Sequence, residues 1–113
     1  MQPILKNNID SIKTLCREHY IKKLYAFGSA ISGDFTSDSD IDLLYEMDYS
    51  GFDFKDLKNI PFDPFIVYFE LKEKLEQLFH KKVDLIPNEN FKNKYFLNEL
   101  QKTKTLIYGE SLN

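Results

Sequence analysis

A few short polar positions in this sequence have the types and spacing for phosphate chemistry. Gly28-Ser29 ends one apolar run, and Asp40 and Asp42 open another. Glycine lets the backbone approach a phosphate closely, amides at the start of a helical turn point at an anion, and a serine hydroxyl adds a donor. Carboxylates two residues apart on a strand share a face, and oxygen ligands suit Mg²⁺, which also binds substrate phosphates. The spacing therefore predicts a site for phosphoryl or nucleotidyl transfer.

Asp84 is the third carboxylate of interest, because Val83 and Leu85 flank it as core-facing strand residues. If its strand lies beside that of Asp40 and Asp42, three carboxylates converge. Two unit charges about 4 Å apart repel by roughly 4 kcal/mol at an effective dielectric near 20, so such a cluster needs protons or cations. The alternative is that Asp84, which follows two lysines, is a solvated surface charge.

Hydrophobic periodicity indicates the elements that position these residues. Helical spacing predicts a helix over residues 3–20 and a second over 64–81, each with a proline suited to its first turn. Their predicted buried stripes are Leu5, Ile9, Ile12, Cys16 and Tyr20 in the first helix, and Phe65, Phe69, Leu71, Leu75, Leu78 and Phe79 in the second.

Strands are predicted over residues 22–27, 40–45 and 82–86, with Pro87 closing the last. A helical turn is predicted from Ser29 to Ser32, broken by Gly33-Asp34, and residues 47–63 are predicted to form a loop. A further helix is expected over 90–102, followed by an extended segment over 105–108. This order predicts an α/β (α+β) fold with a small mixed sheet flanked by helices, in a single domain spanning residues 1–113.

The amino-acid composition excludes several classes of protein. The chain is 42% hydrophobic and 29% charged, and no stretch approaches the length of apolar residues that spans a bilayer. The N-terminus does not resemble a signal peptide, and a single cysteine fits a reducing cytoplasm. The net charge of -3 argues against a dedicated nucleic-acid binder. We therefore expect a cytoplasmic protein that contacts neither membrane nor nucleic acid directly.

A resemblance to a known family rests on these same residues. Residues 27–34 and 39–44 resemble the GSx10DxD signature of the polymerase-β-like nucleotidyltransferases, closest to the minimal nucleotidyltransferase (MNT) branch, with ten residues between Ser29 and Asp40. Residues 69–76 leading into 82–85 resemble the stretch before that family's third carboxylate, and residues 106–109 are similar to the usual MNT ending. The resemblance covers essentially the whole chain.

The resemblance implies a role for each matching residue. Gly28 and Ser29 would hold the triphosphate of ATP, and Asp40 and Asp42 would ligate Mg²⁺, with two ions expected. Asp84 would complete one metal site and help to deprotonate the attacking hydroxyl. The implied reaction is an in-line attack on the α-phosphate of ATP, with pyrophosphate leaving.

The resemblance also implies a partner. MNT proteins similar to this one are typically antitoxins that transfer AMP to a tyrosine of a helical HEPN-type RNase toxin. One departure is Ser32, where many MNT chains carry arginine. Two alternatives stay open at this point: a non-catalytic binding module with a vestigial nucleotide site, and a small-molecule nucleotidyltransferase that builds its acceptor pocket as an oligomer.

Aromatic residues cluster in or beside the predicted loop, namely Phe52, Phe54, Phe62 and Phe65. They predict either a surface that contacts a partner or a loop that folds back over the sheet.

Overall fold

The computed structural model describes residues 1–31, 36–88 and 104–109. Along the chain these form α1 (Pro3–Lys6), α2 (Ile9–Glu18), β1 (Ile21–Phe27), β2 (Ile41–Met47), α3 (Pro64–Phe79), β3 (Val83–Pro87) and β4 (Thr105–Tyr108). Single 3-10 turns lie at Gly28–Ala30 and Leu57–Asn59. The order matches the predicted succession of helices and strands through β3, and the extended segment at 105–108 is also present.

The four strands form one mixed sheet in the order β3-β2-β1-β4. β1 pairs antiparallel with β2 and with β4, whereas β2 and β3 run parallel. Parallel neighbours need a crossover connection, and α3 is part of it. The predicted fold class, a small mixed sheet flanked by helices, is confirmed.

The main core lies between one face of the sheet and the three described helices. Alternate residues of each strand point into it, and a register shift between Ile21 and Lys23 lets both Ile21 and Leu24 face inward. The fully buried side chains include Leu5, Ile12, Leu24, Ile41, Leu43, Leu71, Leu75 and Val83. A smaller apolar cluster on the other face joins Phe27 and Leu44 to Tyr25 and Ile86. The second face of the sheet therefore carries some apolar side chains beside its polar ones.

The N-terminal helix differs from the prediction because it is interrupted. α1 ends at Lys6, and Asn8 separates it from α2 while donating a side-chain hydrogen bond of 2.8 Å to the carbonyl oxygen of Ile4. Asparagine competes with helical hydrogen bonding in this way. The prediction that Tyr20 belongs to the buried stripe is wrong. Tyr20 follows the helix in a left-handed conformation, is 47% exposed, and stacks on Phe62 with ring centroids 4.1 Å apart.

The predicted helix over residues 64–81 is present but shorter, and its buried stripe was partly misassigned. Asp63 caps its start by accepting hydrogen bonds from the backbone amides of Phe65 and Ile66. His80, at φ 55°, ends it two residues before the predicted boundary. Leu71, Leu75 and Phe79 are buried together with Val67, whereas Phe65 and Phe69 are exposed.

Other predictions about the chain fall outside the described residues, namely the break at Gly33-Asp34 and the helix over 90–102. The helices that are described are all too short or too polar to cross a membrane.

Candidate active site

Asp42 and Asp84 are direct neighbours across the parallel pair of β2 and β3. Asp42 is the register partner of Asp84, as Ile41 is of Val83 on the opposite face. Registered residues of neighbouring strands project to the same face. Both aspartates are half-buried, on the side of the sheet away from the described helices. The sequence left open whether these two strands are neighbours, and the structure shows that they are.

The electrostatics of Asp42 reflect this crowding. Burial raises the pKa of the Asp42 carboxyl from 3.8 to about 6, and a hydrogen bond with Asp84 and the charges of Asp84 and Asp40 act in the same direction. The Asp42 carboxyl therefore keeps its proton to a higher pH than a free aspartate does, since like charges so close disfavour full ionisation. A bound cation would relieve the same repulsion.

Gly28 is packed against this pair. It follows β1 at φ +63°, and a Cβ at this position would lie 2.8 Å from Oδ2 of Asp42. Both the left-handed backbone and the close approach require glycine here. The turn is closed by a 3.0 Å hydrogen bond from the amide of Ile31 to the carbonyl oxygen of Gly28, and Ser29 lies half-buried within it. The glycine turn and the carboxylate pair are therefore one contiguous surface.

Asp40 lies immediately before β2 and is half-buried. Its charge contributes to the raised pKa of Asp42, which places it within electrostatic reach of the pair. Between described residues, Lys72 forms an ion pair with Glu76 and Nε2 of His19 lies 4.0 Å from a carboxylate oxygen of Glu70, and neither contact involves a site aspartate. Among these residues, Asp40 and Asp42 are thus not paired with lysines. Pairing with lysines would have argued against a metal role.

The donor set fits a hard divalent cation. Carboxylate oxygens are the ligands that Mg²⁺ prefers, and Mg²⁺ is commonly held by one or two of them together with phosphate oxygens and water. Within the described ranges no group of three carboxylate, histidine or cysteine side chains is already arranged around a metal position. The in-register pair of Asp42 and Asp84 fits the cation, and Asp40 lies within electrostatic reach of the pair.

Other reactive side chains lie outside this site. Cys16 is buried in the helical core, where burial raises the pKa of its thiol to about 12, as expected for the small hydrophobe that its position predicts. His19 is also buried, with Nδ1 donating to the carbonyl oxygen of Leu15 at 2.7 Å and Nε2 accepting from Lys74 at 3.2 Å. Neither residue is available as a nucleophile or ligand for the carboxylate surface.

A residue that the sequence did not single out is Lys81. Its ammonium group donates hydrogen bonds to the carbonyl oxygens of Ser37 and Ser39, in the three residues before Asp40. The only sequence signal was its position three residues before Asp84, which gave a reason to regard that aspartate as a solvated charge.

An apolar groove lies at the other end of β2 and on the other face of the sheet. Its volume is about 760 Å³, and it lies among Tyr45, Met47, Tyr49, Phe52, Phe54, Leu57, Ile60, Pro64, Phe65, Tyr68, Phe69 and Pro87. We call it the aromatic groove. Phe54, Phe65 and Phe69 are each more than 60% exposed, whereas Phe62 packs back on Tyr20 and Phe52. Phe62 therefore folds back against the rest of the chain, whereas a partner surface formed by the exposed phenylalanines stays a prediction.

Comparison with known proteins places the chain among nucleotidyltransferases. The family described as "Polymerase beta, Nucleotidyltransferase" matches residues 10–113. A protein of Methanocaldococcus jannaschii named "Putative protein adenylyltransferase" is 32% identical over 105 residues, which is 92% of this chain and 93% of that protein.

Solved structures share the fold at lower sequence identity. A crystal structure of a toxin–antitoxin with AMP-PNP superposes with a TM-score of 0.64 at 22% identity, covering 91% of this chain and 74% of that one. A structure of a tri-AMPylated Shewanella oneidensis HEPN toxin in complex with MNT antitoxin superposes with a TM-score of 0.57 at 20% identity, covering 93% and 72%. At these identities the superpositions establish the fold.

Proposed function

We propose that this chain transfers AMP from ATP to a hydroxyl of a partner protein. The chain belongs to the polymerase beta nucleotidyltransferase family. The acceptor is a tyrosine of a HEPN-type RNase toxin, and the chain is the cytoplasmic antitoxin that neutralises it. Mg²⁺ is the required cation. The observation that carries this proposal is the in-register pair of Asp42 and Asp84 beside the left-handed Gly28.

The names of similar proteins supply the acceptor class. The Methanocaldococcus jannaschii relative is named an adenylyltransferase that acts on protein, and the Shewanella oneidensis complex contains an AMPylated HEPN toxin with its MNT antitoxin. The structure with AMP-PNP contains an ATP analogue. These names support ATP as donor and a protein as acceptor, and the carboxylate geometry of this chain supplies the chemistry.

Each residue would have a distinct role. The amides of the Gly28 turn and the hydroxyl of Ser29 orient the triphosphate. Asp40, Asp42 and Asp84 would hold Mg²⁺, which when bound would offset the negative charge of the phosphates. Asp84 accepts the proton of the acceptor hydroxyl. The hydroxyl oxygen forms a bond to the α-phosphorus as the bond from that phosphorus to the pyrophosphate oxygen breaks, and AMP remains on the acceptor.

Transfer of label from ATP labelled at the α-phosphate tests the proposal. With Mg²⁺ and the co-purified partner, we expect the partner to gain label and the mass of AMP. Asp40→Ala should lower the rate by about 10²–10³-fold, because a preorganised charge-stabilising group is lost. Asp10→Ala, on the exposed face of α2, is the matched control and should keep the wild-type rate. A partner that binds wild-type protein but gains no label would contradict the proposal.

A second candidate function is neutralisation by contact alone, with a vestigial nucleotide site. The aromatic groove favours it, because Phe54, Leu57, Phe65, Ile66 and Phe69 in and beside it are all more than half exposed. At about 200 Å² for each phenylalanine, the exposed apolar area is several hundred Å², the size of the largest patch on a typical monomer, and such a patch is often functional. A binding module needs such a surface, and an enzyme that recognises a protein acceptor can use it as well.

The double variant Phe65→Ser with Phe69→Ser tests the binding surface. Because both side chains are exposed, the fold should tolerate the change, while capture of the partner should weaken by about tenfold or more for each aromatic contact that reaches 1.4 kcal/mol. Lys13→Ser with Glu18→Ser, two exposed residues of α2, is the control. Partner capture should be measured by calorimetry with each variant and with Asp40→Ala.

The two candidate functions give different results in that comparison. If Asp40→Ala binds and neutralises the partner as well as wild-type protein does, the contact module is the function. If Asp40→Ala binds but fails to neutralise, AMP transfer is the function. Unchanged capture by the Phe65/Phe69 variant would show that the partner contacts a different surface.

A further inference from the structure

Lys81 connects the two chain segments that carry the site aspartates. Its Nζ donates hydrogen bonds to the carbonyl oxygens of Ser37 at 2.5 Å and of Ser39 at 3.4 Å. Ser39 precedes Asp40, and Lys81 lies three residues before Asp84. A single ammonium group therefore fastens the segment that leads into β2 to the segment that leads into β3.

The backbone on both sides of Asp40 is anchored to this second segment. After Asp40, the amide of Ile41 donates a 3.0 Å hydrogen bond to the carbonyl oxygen of Lys82, which begins the β2–β3 pairing. Before Asp40, the carbonyl oxygen of Ser39 accepts from Lys81. Asp40 is thus held between one side-chain anchor and one strand hydrogen bond, one residue away on either side.

In the part of the chain that the structure describes, the segment before Asp40 is held by a local turn and by Lys81. Residues 36–38 are exposed. Their order comes from a local turn, in which the amide of Ser39 donates to the carbonyl oxygen of Thr36 at 3.1 Å and the amide of Thr36 donates to Oγ of Ser39 at 2.9 Å. A turn with local hydrogen bonds and few apolar contacts opens easily unless a tertiary contact secures it. Lys81 supplies that contact.

We propose that Lys81 is a positioning residue, which holds the turn before Asp40 so that this carboxylate can join Asp42 and Asp84 around the cation. The inference rests on the proposed function, because it assumes that the three aspartates share a metal. Partners that orient a metal ligand from outside its coordination shell commonly change metal affinity or activity by about 10–100-fold when removed. Lys81 acts through the backbone of Ser37 and Ser39.

The test compares Lys81→Met with Lys81→Arg and Lys82→Met. Methionine keeps most of the length of the side chain and removes its donors, and arginine keeps the charge and the donors. Lys82 is the matched control, because it is exposed and takes part in the β2–β3 pairing through its backbone carbonyl. The probe is Mn²⁺ as a paramagnetic substitute for Mg²⁺, titrated against the whole chain with AMP-PNP and followed by electron paramagnetic resonance.

We expect Lys81→Met to weaken Mn²⁺ binding by about 10–100-fold, Lys81→Arg to recover most of the loss, and Lys82→Met to bind as wild type does. The Mg²⁺ concentration for half-maximal AMP transfer should rise in parallel in Lys81→Met. Thermal unfolding without metal distinguishes positioning from a general loss of fold, since the melting temperatures of Lys81→Met and Lys82→Met should agree.

Two outcomes would overturn the inference, and they are distinguishable. Equal Mn²⁺ affinity in wild type and Lys81→Met would show that Lys81 does not position Asp40, and the proposed function would stand. A wild-type chain that binds no Mn²⁺ with AMP-PNP would contradict the proposed function itself, and the role of Lys81 with it.

Discussion

Asp42→Asn should abolish AMP transfer and at the same time make the metal-free protein more stable at neutral pH. Asparagine keeps the shape of the side chain and can donate its amide to Asp84, but it removes one charge from the carboxylate pair. The loss of a metal-binding carboxylate should lower the transfer rate by about 10²–10³-fold or more. The gain in stability arises because two adjacent carboxylates repel each other when no cation is bound.

The gain in stability of Asp42→Asn should increase with pH. Because the pKa of Asp42 is raised from 3.8 to about 6 in the folded protein, the folded state holds a proton that the unfolded state releases between these values. The stability of the wild-type protein therefore falls as pH rises from about 4 through about 6. The asparagine side chain of the variant does not titrate, so its advantage should be absent below about pH 4 and complete above about pH 6.

Denaturant unfolding of both proteins at pH 4 and pH 7 measures this difference. Since solvent reaches part of the Asp42 carboxyl and screens it, we expect an advantage of about 1 kcal/mol at pH 7. Addition of Mg²⁺ should reduce it, because only the wild-type protein gains from the cation. A variant that is less stable than wild type at pH 7, or equally more stable at both pH values, would show that the carboxylates do not repel as the structure indicates.

Gly28→Ala should lose activity out of proportion to its loss of stability. Alanine at φ +63° costs about 1–2 kcal/mol in the left-handed region, and its methyl group would lie 2.8 Å from Oδ2 of Asp42. Either the turn or the carboxylate must move. A displacement of about 1 Å in a catalytic constellation can lower a rate by about 10²-fold. We expect a loss of that size in AMP transfer.

Two other glycines serve as controls for this variant. Gly109 has φ +104°, and a Cβ there would press on the backbone carbonyl of Lys22, so Gly109→Ala should destabilise the protein at a position unconnected with the aspartates. Gly51 has no such backbone constraint, and a Cβ there would lie 3.2 Å from Cγ of Pro61, so any loss of stability in Gly51→Ala should come from packing far from the aspartates. The AMP transfer rates and melting temperatures of all three glycine variants should be compared. If Gly28→Ala and Gly109→Ala lose activity equally for equal loss of stability, the contact of Gly28 with Asp42 has no special role.

The arrangement of the carboxylates followed from the sequence because it depends on local rules. Alternation along a strand places Asp42 opposite in direction to Ile41 and Leu43, and the same rule orients Asp84 between Val83 and Leu85. Once the apolar residues of each strand face the helices, the aspartates must face the other side. What the pattern left open was whether β2 and β3 are neighbours, which the parallel pairing answers. The catalytic roles of these residues stay a prediction.

Other features depend on tertiary contacts that a periodic pattern does not contain. Phe65 and Phe69 are as hydrophobic as Val67 and Leu71, so hydrophobicity alone placed them in the core, whereas the approach of α3 to the sheet leaves them in the aromatic groove. The break in the first helix depends on the hydrogen bond of Asn8 to Ile4. The contacts of Lys81 span more than forty residues of sequence, and no local rule indicates them.

The parallel pairing of β2 with β3 also affects the stage of folding at which the carboxylate site forms. Asp42 and Asp84 are brought side by side only after the chain between them, including α3, has closed into place. Contacts between distant parts of a sequence form slowly, because the entropy of closing the loop must be overcome first. Nucleotide binding should thus be among the last properties to return on refolding. The rate of its return therefore reports the rate of the final folding step.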